Sequence, residues 1–65
     1  MKYQVVLQRE PEGYTVSCPG LPGCISEGDS EQEALENIRI AISEYLSVLR
    51  EEFKGADVRE IEVAV

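Results

Sequence analysis

Tyr14-Thr15-Val16-Ser17-Cys18-Pro19-Gly20-Leu21-Pro22-Gly23-Cys24-Ile25-Ser26-Glu27-Gly28-Asp29-Ser30-Glu31-Gln32-Glu33-Ala34-Leu35 is the stretch in which the chain changes from one periodicity to another. Its first five residues alternate, with Tyr14, Val16 and Cys18 on one face and Thr15 and Ser17 on the other, the period of a strand. Pro19 to Gly23 is too rich in breakers for regular structure. Leu21, the only apolar side chain in that loop, is expected to tuck against the core and pin it. Cys24 to Glu27 then reads as a short third strand, ended by Gly28 and Asp29. Ser30 followed three residues later by Glu33 is a capping box, so a helix starts at Glu31. Asp29, Glu31 and Glu33 also suit the positive end of the helix dipole.

Upstream, Lys2 to Gln8 alternates in the same way, with Tyr3, Val5 and Leu7 on one face and Gln4, Val6 and Gln8 on the other. Arg9-Glu10-Pro11-Glu12-Gly13 supplies the proline and glycine of a hairpin turn between these two strands. Downstream, the helix is expected to run from Glu31 to about Phe53. Arg50 and Lys54 suit its negative end, and Gly55 its stop. At about 100° per residue, Ala34, Leu35, Ile38, Ala41, Ile42, Tyr45, Leu49 and Phe53 share one apolar stripe, with Leu46 and Val48 at its margins. Ile40 falls almost opposite, among charges. Val58 to Val65 alternates again, with Ile61, Val63 and Val65 on one side and Glu60 and Glu62 on the other, which predicts a last strand.

The expected fold is α+β with the order β-β-β-α-β. It comprises a three-stranded antiparallel meander, one long helix on one sheet face, and a fourth strand parallel to the first, reached by a right-handed crossover. Residues 1–65 form a single domain in this reading. A chain of 65 residues buries only about 60% of the surface it exposes when unfolded, and such small scaffolds usually lean on disulfides, a metal or oligomerisation. Cys18 and Cys24 alone cannot complete a four-ligand zinc shell, and the sequence has no histidine. No basic-then-apolar leader or membrane-length apolar run is present, which points to the cytoplasm, where both thiols stay reduced; their spacing would close a small disulfide loop in an oxidising compartment. Oligomerisation is the support that remains, so a homodimer or higher homo-oligomer is expected.

The net charge of −7 sets the class of partner. Binding to nucleic-acid phosphates needs clustered cations, and Lys2, Arg9, Arg39, Arg50, Lys54 and Arg59 are scattered. Direct nucleic-acid binding is therefore disfavoured and a basic protein partner favoured. Glu27, Asp29, Glu31, Glu33 and Glu36 are the candidate docking acids, read either as a solvated, well-capped helix start or as a patch that steers basic side chains. Ile40 reads either as a lone surface apolar residue or as a contact with another chain. Pro19 to Cys24 reads as a rigid turn that can also contribute to a protein contact.

From Tyr14 to Leu46 the motifs fall in a specific order. An aromatic residue opens a strand. It is followed by Pro19-Gly20-Leu21-Pro22-Gly23-Cys24, then Glu27-Gly28-Asp29-Ser30, then Glu33-Ala34-Leu35-Glu36-Asn37, and later Tyr45-Leu46. In this order and spacing the chain resembles the HicB-like antitoxin family, at motif level over about half its length. The resemblance implies a partial ribonuclease-H-like fold. It also implies an antitoxin of a type II toxin–antitoxin pair, which neutralises a small basic HicA-type mRNA-cleaving toxin by stoichiometric occlusion of its active site. The alternative is a solitary regulatory or scaffold binding module of the same fold without a toxin. Many family members carry a C-terminal helix-turn-helix or ribbon-helix-helix segment that binds operator DNA; none follows Val65 in this sequence, so operator binding is not carried over. Gly20 stands where the family often has an acid.

A catalytic ribonuclease-H-like reading is disfavoured by the residues themselves. It needs carboxylates converging on two metal ions, but Lys2 to Gln8 contains no acid and the helix-facing positions are apolar. Glu60 and Glu62 find no acidic counterpart on the first strand, and without histidine the commonest general base is missing. No catalytic residue, metal or cofactor is expected.

Overall fold

Pro11 and Glu12 alone connect the first two strands of the computed structural model, which describes residues 2–64. Strand β1 (Val6–Glu10) pairs antiparallel with β2 (Gly13–Ser17), with Leu7 opposite Val16 and Glu10 opposite Gly13. A two-residue hairpin loop ordinarily needs left-handed residues to match the twist of its strands. Here the turn residues keep negative φ, and Gly13 instead takes φ +143°, a conformation that L side chains rarely adopt. The turn is therefore tighter than the expected five residues, and Arg9 and Glu10 join the ladder. At its other end β1 begins four residues later than expected. β2 stops pairing with β1 at Ser17, and the N–H of Cys18 donates to the Cys24 carbonyl at 3.0 Å.

The breaker-rich loop is folded on itself. Leu21 N–H donates to the Cys18 carbonyl and Cys24 N–H donates to the Leu21 carbonyl, both at 3.0 Å. These bonds turn Leu21 into the core, as the sequence suggested. Strand β3 (Ile25–Gly28) follows and pairs antiparallel with β2, giving a sheet in the order β1-β2-β3.

Helix α1 (Glu31–Glu52) begins where expected. Ser30 has extended backbone angles, and its Oγ accepts the Glu33 N–H at 3.1 Å, which is one half of the capping box. The Ser30 carbonyl accepts from Ala34 N–H at 2.9 Å. At the far end Phe53 N–H still bonds the Leu49 carbonyl, and Gly55 follows with φ +85°. The helix packs on β3 and β2. The buried core consists of Val16, Cys18, Leu21, Cys24, Ala34 and Ile38, flanked by half-buried Val5, Leu7, Tyr14, Ala41, Ile42, Tyr45 and Leu46. Apart from Leu21 and Cys24, which lie in the loop, each is on the side that the alternation or the helical period assigned to it.

The expected fourth strand is not formed among the described residues: residues 57–64 have no regular structure and β1 has no neighbour on its outer side. Val58, Ile61 and Val63 are exposed, Ile61 by 84%. Val65, the last residue of that expected strand, lies outside the described residues. Two-residue alternation shows that a segment can bury one side; it does not name the surface that buries it. Among the described residues of this tail the only ion pair is local, with the Arg59 guanidinium bonding Asp57 at 2.7 and 3.1 Å. That bond holds the Asp57 carboxyl below its ordinary pKa.

Candidate functional site: an acidic cleft at the hairpin end

Three local events bring acids to one end of the sheet. The tight hairpin places Glu10 and Glu12 at the tip of β1 and β2, β3 carries Glu27 next to its last residue, and Asp29 and Glu33 flank the start of the helix beside it. Between them lies an open cleft of about 690 Å³, with Tyr14, Thr15, Ser26 and Asn37 also on its walls. Its floor is backbone: Gly13 and Gly28 both line it. A Cβ on Gly13 would stand 2.6 Å from the Gly28 carbonyl oxygen, far inside ordinary contact distance.

The side of the cleft formed by β3 and α1 is tied together by Asn37, whose Nδ2 donates to the Glu27 carbonyl at 2.8 Å. That bond spans ten residues and fixes the helix's second turn against the end of β3. The first turn of α1 also points its unpaired N–H groups and positive dipole end at this region, which offsets part of the repulsion among the acids.

Of the five acids expected to form a docking patch, the structure brings Glu27, Asp29 and Glu33 to the cleft; Glu31 and Glu36 are not on its walls. Glu36 faces along the helix and pairs with Arg39 at 3.2 Å, both side chains largely exposed, so that pair contributes little. Ile40 is 49% exposed and stands apart from the cleft. Glu10, Glu12 and Asn37 were not anticipated. The available signal was Glu10-Pro11-Glu12, two acids on either side of a proline in a hairpin turn. Among the described residues, no group of three or more His, Cys, Asp or Glu side chains is arranged to hold a metal ion. The five cleft acids are thus spread around a rim.

A second, apolar groove of about 420 Å³ runs between β3 and the later helix, along Cys24, Ile25, Ala41, Tyr45 and Val48. Both thiols lie in the core below it as free cysteines. Burial, and to a smaller degree the neighbouring Cys18, raises the pKa of Cys24. No helix among the described residues is long and apolar enough to cross a membrane.

Together these features define a small acidic α+β domain: a three-stranded antiparallel sheet under one long helix, with a negatively charged cleft at one end. Residues 3–64 match the family described as HicB_like antitoxin of bacterial toxin-antitoxin system, and the chain belongs to that HicB-like antitoxin family. It is 43% identical over 51 residues to a UPF0150 protein of Thermoplasma acidophilum, covering 77% of this chain and 74% of that one. It is 36% identical over 66 residues to a UPF0150 protein of Archaeoglobus fulgidus, covering 94% and 96% of the two chains. It is also 38% identical over 52 residues to an uncharacterized 14.9 kDa protein of Haemophilus phage HP1, covering 80% of this chain and 39% of the phage protein. No solved structure matches the chain.

Proposed function

We propose that this domain neutralises a small basic HicA-type mRNA-cleaving toxin in the cytoplasm by stoichiometric occlusion of its active site. The observation that carries the reading is membership of the HicB-like antitoxin family across residues 3–64. The acidic cleft adds a physical route. Rim carboxylates from Glu10, Glu12, Glu27, Asp29 and Glu33 attract lysine and arginine side chains, and the backbone floor lets a long side chain lie down between them. Opposed charge of this kind chiefly raises the rate of encounter and fixes orientation. Glu31, Glu36 and Ile40 extend the contact along the exposed helix. The domain acts by binding and supplies no catalytic residue, metal or cofactor of its own.

Support for the reading comes from the family and from charge together, and each has its own test. The test of function is co-expression with the small basic protein encoded beside it. Restored growth and co-purification of the two chains are expected. Growth inhibition that persists, with no co-purification, would leave the solitary regulatory or scaffold module as the better description.

A further inference from the structure

Helix α1 carries a wider apolar stripe than the three strands cover. On a helical wheel, Ala41, Tyr45 and Val48 form the margin beside the β3 groove, and Leu35, Leu46 and Phe53 form the opposite margin. On that opposite margin Leu35 is 38% exposed and Phe53 is 53% exposed. The sheet ends on the same side with β1, whose outer edge is unpaired among the described residues. An open edge is a template for another strand. The tail, with Ile61 and Val63 on one side and Glu60 and Glu62 on the other, is a strand pattern that lies unpaired.

Shape matches the two. Strand β1 is close to neutral, with Arg9 followed by Glu10, so its edge does not repel an acidic segment, and in the tail Arg59 is held by Asp57 at 2.7 Å. The radius of gyration is 14.2 Å, against about 11 Å for a compact chain of this length. The 22-residue helix is about 33 Å long, whereas strands of four or five residues reach no more than about 17 Å. The last turns and the tail therefore project past the sheet as an arm.

We propose that residues 58–63 form the fourth strand of a second copy of this chain, laid on that copy's β1 edge in a reciprocal two-fold exchange. Ile61 and Val63 then cover the half-exposed helix margin of the second copy, and Glu60 and Glu62 stay in water. Two-fold closure satisfies both arms and both edges at once. The acidic cleft lies at the opposite end of the helix and stays open, so the exchange is independent of what the cleft binds.

The test uses the 65-residue chain in sedimentation velocity, together with isotope-filtered nuclear Overhauser spectra of a mixed labelled and unlabelled sample. A doubled mass is expected, with cross-subunit contacts between the methyls of Ile61 or Val63 and those of Val5 or Leu7. Replacing both Ile61→Lys and Val63→Lys is expected to return the mass to that of one chain with the helical circular dichroism unchanged. A wild-type chain that stays monomeric, or tail contacts that arise only within one chain, overturns the proposal. So does a dimer that survives the double substitution. Should the double variant unfold, the filtered spectra of the unsubstituted chain decide alone.

Discussion

Gly28 and Ala34 meet backbone to backbone: a Cβ at position 28 would stand 2.5 Å from the Ala34 nitrogen and 2.9 Å from its Cα. The contact sets how closely the first helical turn approaches β3, and it lets Ala34 bury completely. The neighbouring atoms are main chain within a capped helix, so they cannot swing aside. Gly28→Ala is expected to lower stability by about 1–3 kcal/mol, the cost of overpacking a closed site. Urea unfolding followed by circular dichroism measures it, and a midpoint equal to wild type would show that the helix can step back freely.

Ser30 acts one residue before that turn. Loss of its Oγ acceptor for Glu33 N–H should cost about 1 kcal/mol in Ser30→Ala, and only a few tenths in Ser30→Gly. The ordering of the two variants in thermal melts is the check, because a purely propensity-driven effect would favour alanine.

The cleft makes a prediction that separates acids by position. Neutralising Glu10, Glu12 and Glu27 together to Gln should slow association with a basic protein partner by about tenfold at low salt. The wild-type rate should also fall more steeply with added salt than the variant's, because screening removes what the substitution has already removed. Changing Glu31 and Glu36 to Gln removes charges outside the cleft and should slow association less. Stopped-flow mixing at several salt concentrations reads all three proteins. Equal losses in the two variants would mean that net charge, and not the cleft, steers the encounter.

Much of this arrangement was readable in the order of residues, and the part that was not has a common cause. The hairpin, the inward turn of Leu21, the Ser30 cap and the helix face each depend on neighbours within a few positions. Periodicity and turn chemistry report such features directly. Gly13 against Gly28, Gly28 against Ala34, and Asn37 bonded to Glu27 depend on which strand end meets which helical turn, and no local pattern encodes that. Glu10 and Glu12 entered the cleft for the same reason: the turn proved two residues long, and the hairpin tip came level with the helix start. The tail shows the limit from the other side. Its alternation is plain in the sequence, but the surface it would cover is not part of that pattern.

Cys24 gives a pH dependence. Burial raises its thiol pKa in the folded chain, so the folded form keeps its proton where the unfolded form has released it. Unfolding then releases a proton, and stability falls as pH rises through the ordinary thiol range, about 8.5, towards the higher folded value. Below that range both states are protonated and this contribution is fully present. Urea midpoints from pH 7 to 10 should decline more steeply for wild type than for Cys24→Ala; parallel slopes would assign the decline to other groups.

Stacking of Gly13, Gly28 and Ala34 bears on how such a domain can diverge. Positions 13 and 28 have no room for a side chain, so drift at the cleft floor is penalised through folding before binding is affected. The rim is under no such restraint, since Glu10, Glu12, Glu27, Asp29 and Glu33 are all exposed. A lineage can therefore rewrite the charges that select a partner while inheriting the scaffold unchanged, and this three-residue joint is what keeps the two histories separate.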